Sequence, residues 1–161
     1  AHQQPMVFQV VTSKPTRGIR AGKVVIQFSM SSRVQQFPAT VQQTETGTMR
    51  VATPETTAFD LVRYQAGAGH LSNAATVLSE LAERLDTRAL VSVASLVRLP
   101  DVQRLGYLLD AIGQTESTAP LAVWLAAQRL RAVPLRPGEP ADVALDRRWH
   151  VLPNVELEMD I

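Results

Sequence analysis

The chain of 161 residues contains no cysteine. Disulfides, thiolate nucleophiles and thiolate zinc sites are therefore excluded, and the sequence gives no support for an oxidising compartment. Its apolar runs stay far below the roughly 18–20 residues that a membrane-spanning helix needs. The first residues also lack the apolar block of a secretory signal. We therefore expect a cytoplasmic protein.

Acidic residues are missing from the first 44 positions, which carry five basic side chains, called here the basic front: Lys14, Arg17, Arg20, Lys23 and Arg33. The rest of the chain holds eleven arginines and fifteen acids, so a charge of +5 is followed by a charge of −4. A basic front suits a polyanion and predicts contacts with nucleic acid or another partner. The alternative is that these widely spaced cations only solvate a hairpin.

The first third of the chain has the composition of β-strands. Segments 6–11 and 23–30 are rich in valine, isoleucine and phenylalanine, and the segment between them contains two glycines. This pattern predicts a hairpin in which the two strands pair with each other. A second pair of short strands is predicted at 41–45 and 48–52.

At Thr53 the pattern changes from strand to helix. Thr53 can cap the first helical turn, Pro54 suits the first helical position, and Glu55 complements the positive end of the helix dipole. From there to Arg131 the spacing of apolar residues predicts about five helices. Further helix starts are predicted at Ser72 or Asn73, at Asp86 or Thr87, at Asp101 and at Thr118, with a helix end at Gly113.

The helical spacing is lost after Arg131, and alternation from Trp149 to Ile161 predicts C-terminal strands. The predicted fold class is therefore α+β (mixed α/β), with N- and C-terminal strands forming a sheet and about five helices between them. At this length we expect a single domain over residues 1–161.

Three carboxylates alternate near the chain end, at Glu156, Glu158 and Asp160. On a strand they would share one face, where a divalent metal could bind, or they would simply form the solvent face of a terminal strand. The histidines lack the spacing of a zinc motif, and the serines lack that of a nucleophile motif. We therefore predict no catalytic residue, no metal site and no cofactor.

The segment around Gly106 carries a possible partner face. Arg104 and Tyr107 are three residues apart and share one side of a predicted helix, where they contact either a partner or a neighbouring helix. Gly106 lies between them and costs a helix about 1 kcal/mol relative to alanine. Its presence predicts that another backbone approaches closely there.

Several segments resemble, in the same order, the AbiEi family of antitoxins from the AbiE abortive-infection, type IV toxin–antitoxin systems. Together they span almost the whole chain: Ala1-His2-Gln3-Gln4-Pro5, Gly47-Thr48-Met49-Arg50-Val51-Ala52-Thr53-Pro54-Glu55, Thr57-Ala58-Phe59-Asp60-Leu61-Val62, Val102-Gln103-Arg104-Leu105-Gly106-Tyr107-Leu108-Leu109 and the closing Trp149 to Asn154.

In that family a winged helix-turn-helix binds operator DNA, and the C-terminal domain that follows it counters a nucleotidyltransferase-like toxin. This chain resembles the C-terminal domain and starts where the winged helix would end, so we expect the recognition helix to be absent. The resemblance implies a non-enzymatic antitoxin and transcriptional regulator that assists DNA-binding autoregulation. It supplies no catalytic residue, and the basic front would add phosphate contacts to DNA.

Two alternative functions stay open at the level of sequence. One is a metal-dependent nucleic-acid-processing enzyme that uses Glu156, Glu158 and Asp160. The other is a solitary transcription factor in which this domain senses an effector or dimerises.

Overall fold

The computed structural model describes residues 6–12, 17–22, 24–30, 40–44, 47–68 and 71–158. Five strands of the first third form one sheet in the order β2-β3-β1-β5-β4. Their bounds are β1 (Met6–Thr12), β2 (Ile19–Ala21), β3 (Val24–Met30), β4 (Thr40–Thr44) and β5 (Gly47–Ala52). The central strand β1 is parallel to both neighbours, β3 and β5, and the two edge strands pair antiparallel.

The hairpin predicted between segments 6–11 and 23–30 is wrong, because β1 and β3 are parallel. The predicted loop contains β2, where Ile19 is buried opposite Ile26 of β3. Ala21 pairs with Val24, so only two residues connect β2 to β3. One of them, Gly22, has a backbone φ of 57°. This left-handed conformation suits glycine and makes the short turn possible. The second predicted pair is confirmed by the antiparallel β4 and β5.

Five α-helices follow in the described part of the chain, as the sequence predicts. They are α1 (Pro54–Ala68), α2 (Leu71–Leu81), α3 (Thr87–Ala94), α4 (Leu99–Ala111) and α5 (Thr115–Ala126), with a short 3₁₀ helix at Ala82–Arg84. None of the described helices is long and apolar enough to cross a bilayer.

Local signals fix two of the predicted helix starts and one end. The Thr53 hydroxyl oxygen accepts from the Thr56 backbone N–H at 3.3 Å, and the Asp86 carboxylate accepts from Ala89 N–H at 3.0 Å. Gly113 ends α4 with φ 93°. The predicted starts at Ser72 or Asn73, at Asp101 and at Thr118 are wrong, since α2, α4 and α5 begin earlier, at Leu71, Leu99 and Thr115.

The C-terminal strands do not join the N-terminal sheet. β6 (Val133–Pro134) and β7 (Val151–Leu152) instead form their own two-stranded parallel sheet. The α+β class is confirmed, whereas the prediction of one sheet built from both chain ends is wrong. The physical reason is that residues 127–158, called here the C-terminal segment, are held against α4 by hydrogen bonds to its side chains.

One hydrophobic core connects these elements. It includes Phe8 of β1, Phe59 of α1, Leu105 of α4, Leu121 of α5 and Trp149 of the C-terminal segment. Burial of these large side chains supplies most of the free energy that holds the layers together.

Candidate functional site

The basic front is described at two of its five positions. Arg17 and Arg20 are both exposed, while Lys14, Lys23 and Arg33 lie outside the described residues. Arg20 lies on edge strand β2 between the buried Ile19 and the half-buried Ala21. Since side chains alternate along a strand, Arg20 points away from the helices that cover Ile19.

Two exposed guanidinium groups at one edge of the sheet can contact phosphates. Arginine binds phosphate oxygens in a bidentate geometry, and such contacts position a protein on DNA without reading its sequence. Arg17 and Arg20 are three residues apart: Arg17 lies two residues before β2, and Arg20 is the middle residue of that strand. The described residues therefore place part of the predicted front where a polyanion has access to it.

Arg104, one of the two residues of the possible partner face, is only 7% exposed. Its Nε donates a hydrogen bond to the Pro134 carbonyl at 3.0 Å. Burial lowers the pKa of the Arg104 guanidinium, and the charge of Asp101 opposes that shift. The structure thus places Arg104 in contact with the chain's own C-terminal segment, which is neither of the contacts that the sequence suggested, an external partner or a neighbouring helix.

Asp101 lies beside Arg104 in the first turn of α4 and is also buried. Burial raises the pKa of its carboxyl group, while the charges of Arg98, Arg104 and Arg63 act in the opposite direction. The Arg98 Nε is 4.0 Å from an Asp101 carboxylate oxygen. The neighbouring cations therefore compensate the buried carboxylate in part, and we assign this cluster a structural role.

Tyr107, the other residue of that pair, is half-buried and packs against the core. Burial raises the pKa of its hydroxyl group, and the charge of Asp146 raises it further. The side chain therefore lies near the C-terminal segment, and only part of it faces solvent.

Gly106 accommodates an indole ring rather than a second backbone. A Cβ atom at this position would overlap ring atoms of Trp149. The prediction of a close approach at Gly106 is confirmed, but the prediction that a backbone makes this approach is wrong, because the nearest atoms belong to the Trp149 side chain. Sequence reasoning missed Trp149 because this residue is 43 positions away and its pairing with α4 leaves no local pattern.

Asp110, near the end of α4, binds three side chains that belong to two other parts of the chain, helix α5 and the C-terminal segment. Its Oδ2 accepts from Trp149 Nε1 at 2.7 Å and forms an ion pair with Arg148 Nε at 2.9 Å. Its Oδ1 accepts from the Thr118 hydroxyl at 2.6 Å. The Arg148 guanidinium also lies 5.5 Å from the centre of the Trp149 ring, within the range of a cation–π contact. We call Asp110, Thr118, Arg148 and Trp149 the α4 clasp.

Gln103 also attaches α4 to the C-terminal segment, at the residues that come just before β6 and β7. Its side-chain nitrogen donates to the Arg131 carbonyl at 2.9 Å and to the His150 carbonyl at 3.2 Å. This buried amide therefore satisfies two backbone acceptors that precede β6 and β7. The face of α4 that the sequence offers to a partner is largely occupied by the chain itself.

The carboxylate row near the chain end does not lie on a strand where it is described. β7 ends at Leu152, and the exposed Glu156 and Glu158 follow it in irregular backbone. The Glu158 N–H donates to the Ser72 hydroxyl at 3.0 Å, and Asp160 lies outside the described residues. Within the described ranges, no group of three or more histidines, aspartates or glutamates is arranged to hold a metal ion.

Glu55 forms a hydrogen bond to a second helix in addition to the predicted interaction with the dipole of its own helix. It is 6% exposed, and its Oε2 accepts from the Asp86 N–H at 2.9 Å. Asp86 is the N-cap of α3, so one carboxylate connects the first turns of α1 and α3. Burial raises the pKa of Glu55, and the hydrogen bonds that it accepts oppose this shift.

One solved structure is distantly similar to this chain. The solved structure of the RV2827C protein from Mycobacterium tuberculosis is similar to this chain at 16% sequence identity and a TM-score of 0.47. That match covers 63% of this chain and 34% of the M. tuberculosis protein. The search of curated proteins found no match.

A family comparison gives the decisive match. The model of the AbiEi antitoxin C-terminal domain matches residues 1–111, which is more than half of the chain. This range contains the sheet, α1 to α4 and the whole basic front. The chain therefore belongs to the AbiEi antitoxin C-terminal domain family.

Proposed function

We propose that this chain is a non-enzymatic antitoxin and transcriptional-regulator domain that counters a nucleotidyltransferase-like toxin in the cytoplasm and assists DNA-binding autoregulation. The match of the AbiEi antitoxin C-terminal domain to residues 1–111 carries this proposal. Rescue of growth in a host that expresses the toxin tests the first activity. The salt dependence of DNA binding tests the second.

In this proposal the basic front supplies phosphate contacts, and sequence recognition belongs to a DNA-reading domain elsewhere in the full protein. The exposure of Arg17 and Arg20 supports a role of the basic front in phosphate contacts. Lys14, Lys23 and Arg33 lie outside the described residues and are included in this proposal only because they share the acid-free first 44 positions. Contacts of this kind release counterions and make the binding constant depend on salt.

The test compares two charge-matched double variants of the intact protein on its operator DNA. We expect Arg17→Glu with Arg20→Glu to weaken binding. The slope of log K against log salt should then become less steep by about 2, or about 0.9 for each lost phosphate contact. The control is Arg88→Glu with Arg147→Glu, which changes the net charge equally at exposed positions far along the chain. Equal effects of the two pairs would contradict a specific role for the front.

A further inference from the structure

Four charged residues meet at the start of α4. Arg98 is the N-cap of this helix, and Asp101 and Arg104 follow at intervals of three residues, so all three share one side of it. The Arg98 Nε is 4.0 Å from a carboxylate oxygen of Asp101. The charges of Arg104 and of Arg63, which belongs to α1, also act on this carboxylate. We call Arg63, Arg98, Asp101 and Arg104 the arginine cluster.

Two side chains of the arginine cluster are buried and only partly satisfied. Asp101 is 4% exposed, and no hydrogen bond from another described residue ends on its carboxylate. Its contact with Arg98 at 4.0 Å is longer than a hydrogen bond. Arg104 is 7% exposed and donates from Nε to the Pro134 carbonyl, which leaves its two terminal nitrogens without a partner in the described part of the chain. Buried polar groups are nearly always hydrogen-bonded, so an unsatisfied acceptor beside unsatisfied donors points to a ligand that bonds both.

The arginine cluster also has an excess of positive charge. Three arginines act on one carboxylate, so two positive charges are not neutralised within the cluster. The N-terminus of α4 adds the positive end of the helix dipole. Arg63 and Arg98 are exposed, so an anion from solvent has access to the cluster. Guanidinium groups donate parallel hydrogen bonds to oxyanions, and the cluster therefore suits a small, multiply charged oxyanion.

Asp101 determines which oxyanion fits. Its carboxylate repels a fully deprotonated anion such as sulfate, but it can accept a hydrogen bond from an anion that keeps a proton. At neutral pH inorganic phosphate keeps an O–H group, whereas sulfate and the phosphodiesters of nucleic acids have none. A phosphate monoester loses its second proton at about pH 6. Inorganic phosphate is therefore the oxyanion among these that satisfies the arginines and Asp101 together.

We propose that the arginine cluster binds inorganic phosphate. The terminal nitrogens of Arg104 and the guanidinium groups of Arg63 and Arg98 donate to phosphate oxygens, and the phosphate O–H donates to the Asp101 carboxylate. This binding adds to the structural role of the cluster and uses no residue of the basic front.

Isothermal titration calorimetry of the unmodified chain at neutral pH tests the site without toxin or DNA. The probes are sodium phosphate and sodium sulfate at equal ionic strength. We expect the dissociation constant for phosphate to be at least about tenfold lower than that for sulfate, because only phosphate donates to the buried carboxylate. O-phosphoserine, a monoester, should also bind less tightly than inorganic phosphate.

Variants then assign the binding to the cluster. Arg63→Gln with Arg98→Gln should raise the dissociation constant for phosphate by at least about tenfold. Arg88→Gln with Arg147→Gln is the matched control, because it removes the same charge at exposed positions outside the cluster. Asp101→Asn should abolish the preference for phosphate, since an amide can donate to sulfate. Circular dichroism verifies that each variant is folded, and the two double variants change exposed side chains alone.

A chain that binds no phosphate at millimolar concentration overturns the proposal. It is equally overturned if sulfate or O-phosphoserine binds the unmodified chain as tightly as phosphate does, or if the two double variants weaken binding equally. A folded Asp101→Asn variant that still prefers phosphate would contradict the role given to this carboxylate.

Discussion

Single residues in this chain often serve a contact that is distant in sequence. Gly106 is required by Trp149, and Glu55 is buried because it accepts from the N-cap of another helix. The sequence indicates that Gly106 is unusual, since glycine is unfavourable inside a helix. It does not identify the indole ring, because nothing local to either residue encodes their pairing.

Replacing Gly106 by alanine separates helix propensity from packing. Propensity alone would stabilise the helix by about 1 kcal/mol. We expect a net loss of about 1–3 kcal/mol in the free energy of unfolding, because the new methyl group overlaps the ring of the 1% exposed Trp149. Urea unfolding measures the difference. Ser92→Ala at an exposed position of α3 is the control and should change stability little. A stabilised Gly106→Ala variant would contradict the observed contact.

Glu55 should make stability depend on pH. Its pKa in the folded chain is raised above 4.5 by burial, so the unfolded chain releases this proton first as the pH rises. The folded state thus binds more protons in that window, and the free energy of unfolding falls as pH increases through the raised pKa. Burial also raises the pKa of Asp101 above its ordinary value of 3.8. Its ionisation therefore likewise lowers the free energy of unfolding as the pH increases.

Glu55→Gln keeps an oxygen that can accept from the Asp86 N–H but removes the ionisation. We therefore expect its stability relative to the unmodified chain to increase from about pH 4 to about pH 7. Urea unfolding at several pH values measures this difference. Glu80→Gln on the exposed side of α2 provides a matched control. A difference that stays constant with pH would contradict the assigned cause.

At the scale of elements, short-range signals predict the structure better than long-range ones. The caps at Thr53 and Asp86 and the left-handed Gly113 act on neighbouring backbone groups, so the sequence alone locates them. The parallel pairing of β1 with β3 depends on the short strand β2, whose three residues resemble a loop in sequence. Strand partners are chosen by the whole sheet, and composition does not specify them.

The α4 clasp joins three elements and should respond strongly to loss of its central charge. In Asp110→Asn the ion pair with Arg148 disappears, and an amide nitrogen replaces one of the two oxygens that accept hydrogen bonds from Trp149 and Thr118. We expect a cost of about 1–3 kcal/mol in urea unfolding.

Glu139→Gln is the control for the clasp, because Glu139 forms a solvent-exposed pair with Arg136 at 3.7 Å. Such pairs contribute about 0–1 kcal/mol. Equal effects of the Asp110 and Glu139 variants would show that the clasp does not fasten the C-terminal segment.

At the scale of the whole molecule, the family match ends at residue 111 while the hydrophobic core continues to Val151. Leu121, Leu135 and Trp149 are almost completely buried and belong to that core. We expect a chain cut after residue 111 to lose cooperative thermal unfolding, because α4 would expose the face that now contacts the C-terminal segment. A cooperative transition in the shortened chain, followed by circular dichroism, would contradict this.

In the candidate site, too, features that depend on local sequence are predictable, whereas contacts between residues distant in sequence are not. Charge counting identifies the basic front, and Arg17 and Arg20 are indeed exposed, because an unpaired cation rarely leaves solvent. Arg104 has the same chemistry but is buried, since a carbonyl 30 residues away accepts its hydrogen bond. Sequence alone does not distinguish the two situations.

The measurement that most directly tests the antitoxin assignment is growth rescue. Any nucleotidyltransferase-like protein encoded beside this one is expressed in a sensitive host, with or without the 161-residue chain. We predict that co-expression of the folded chain restores growth. A neighbour that is demonstrably toxic and is countered neither by the well-expressed chain nor by the full-length protein would contradict it, and would favour a solitary transcription factor.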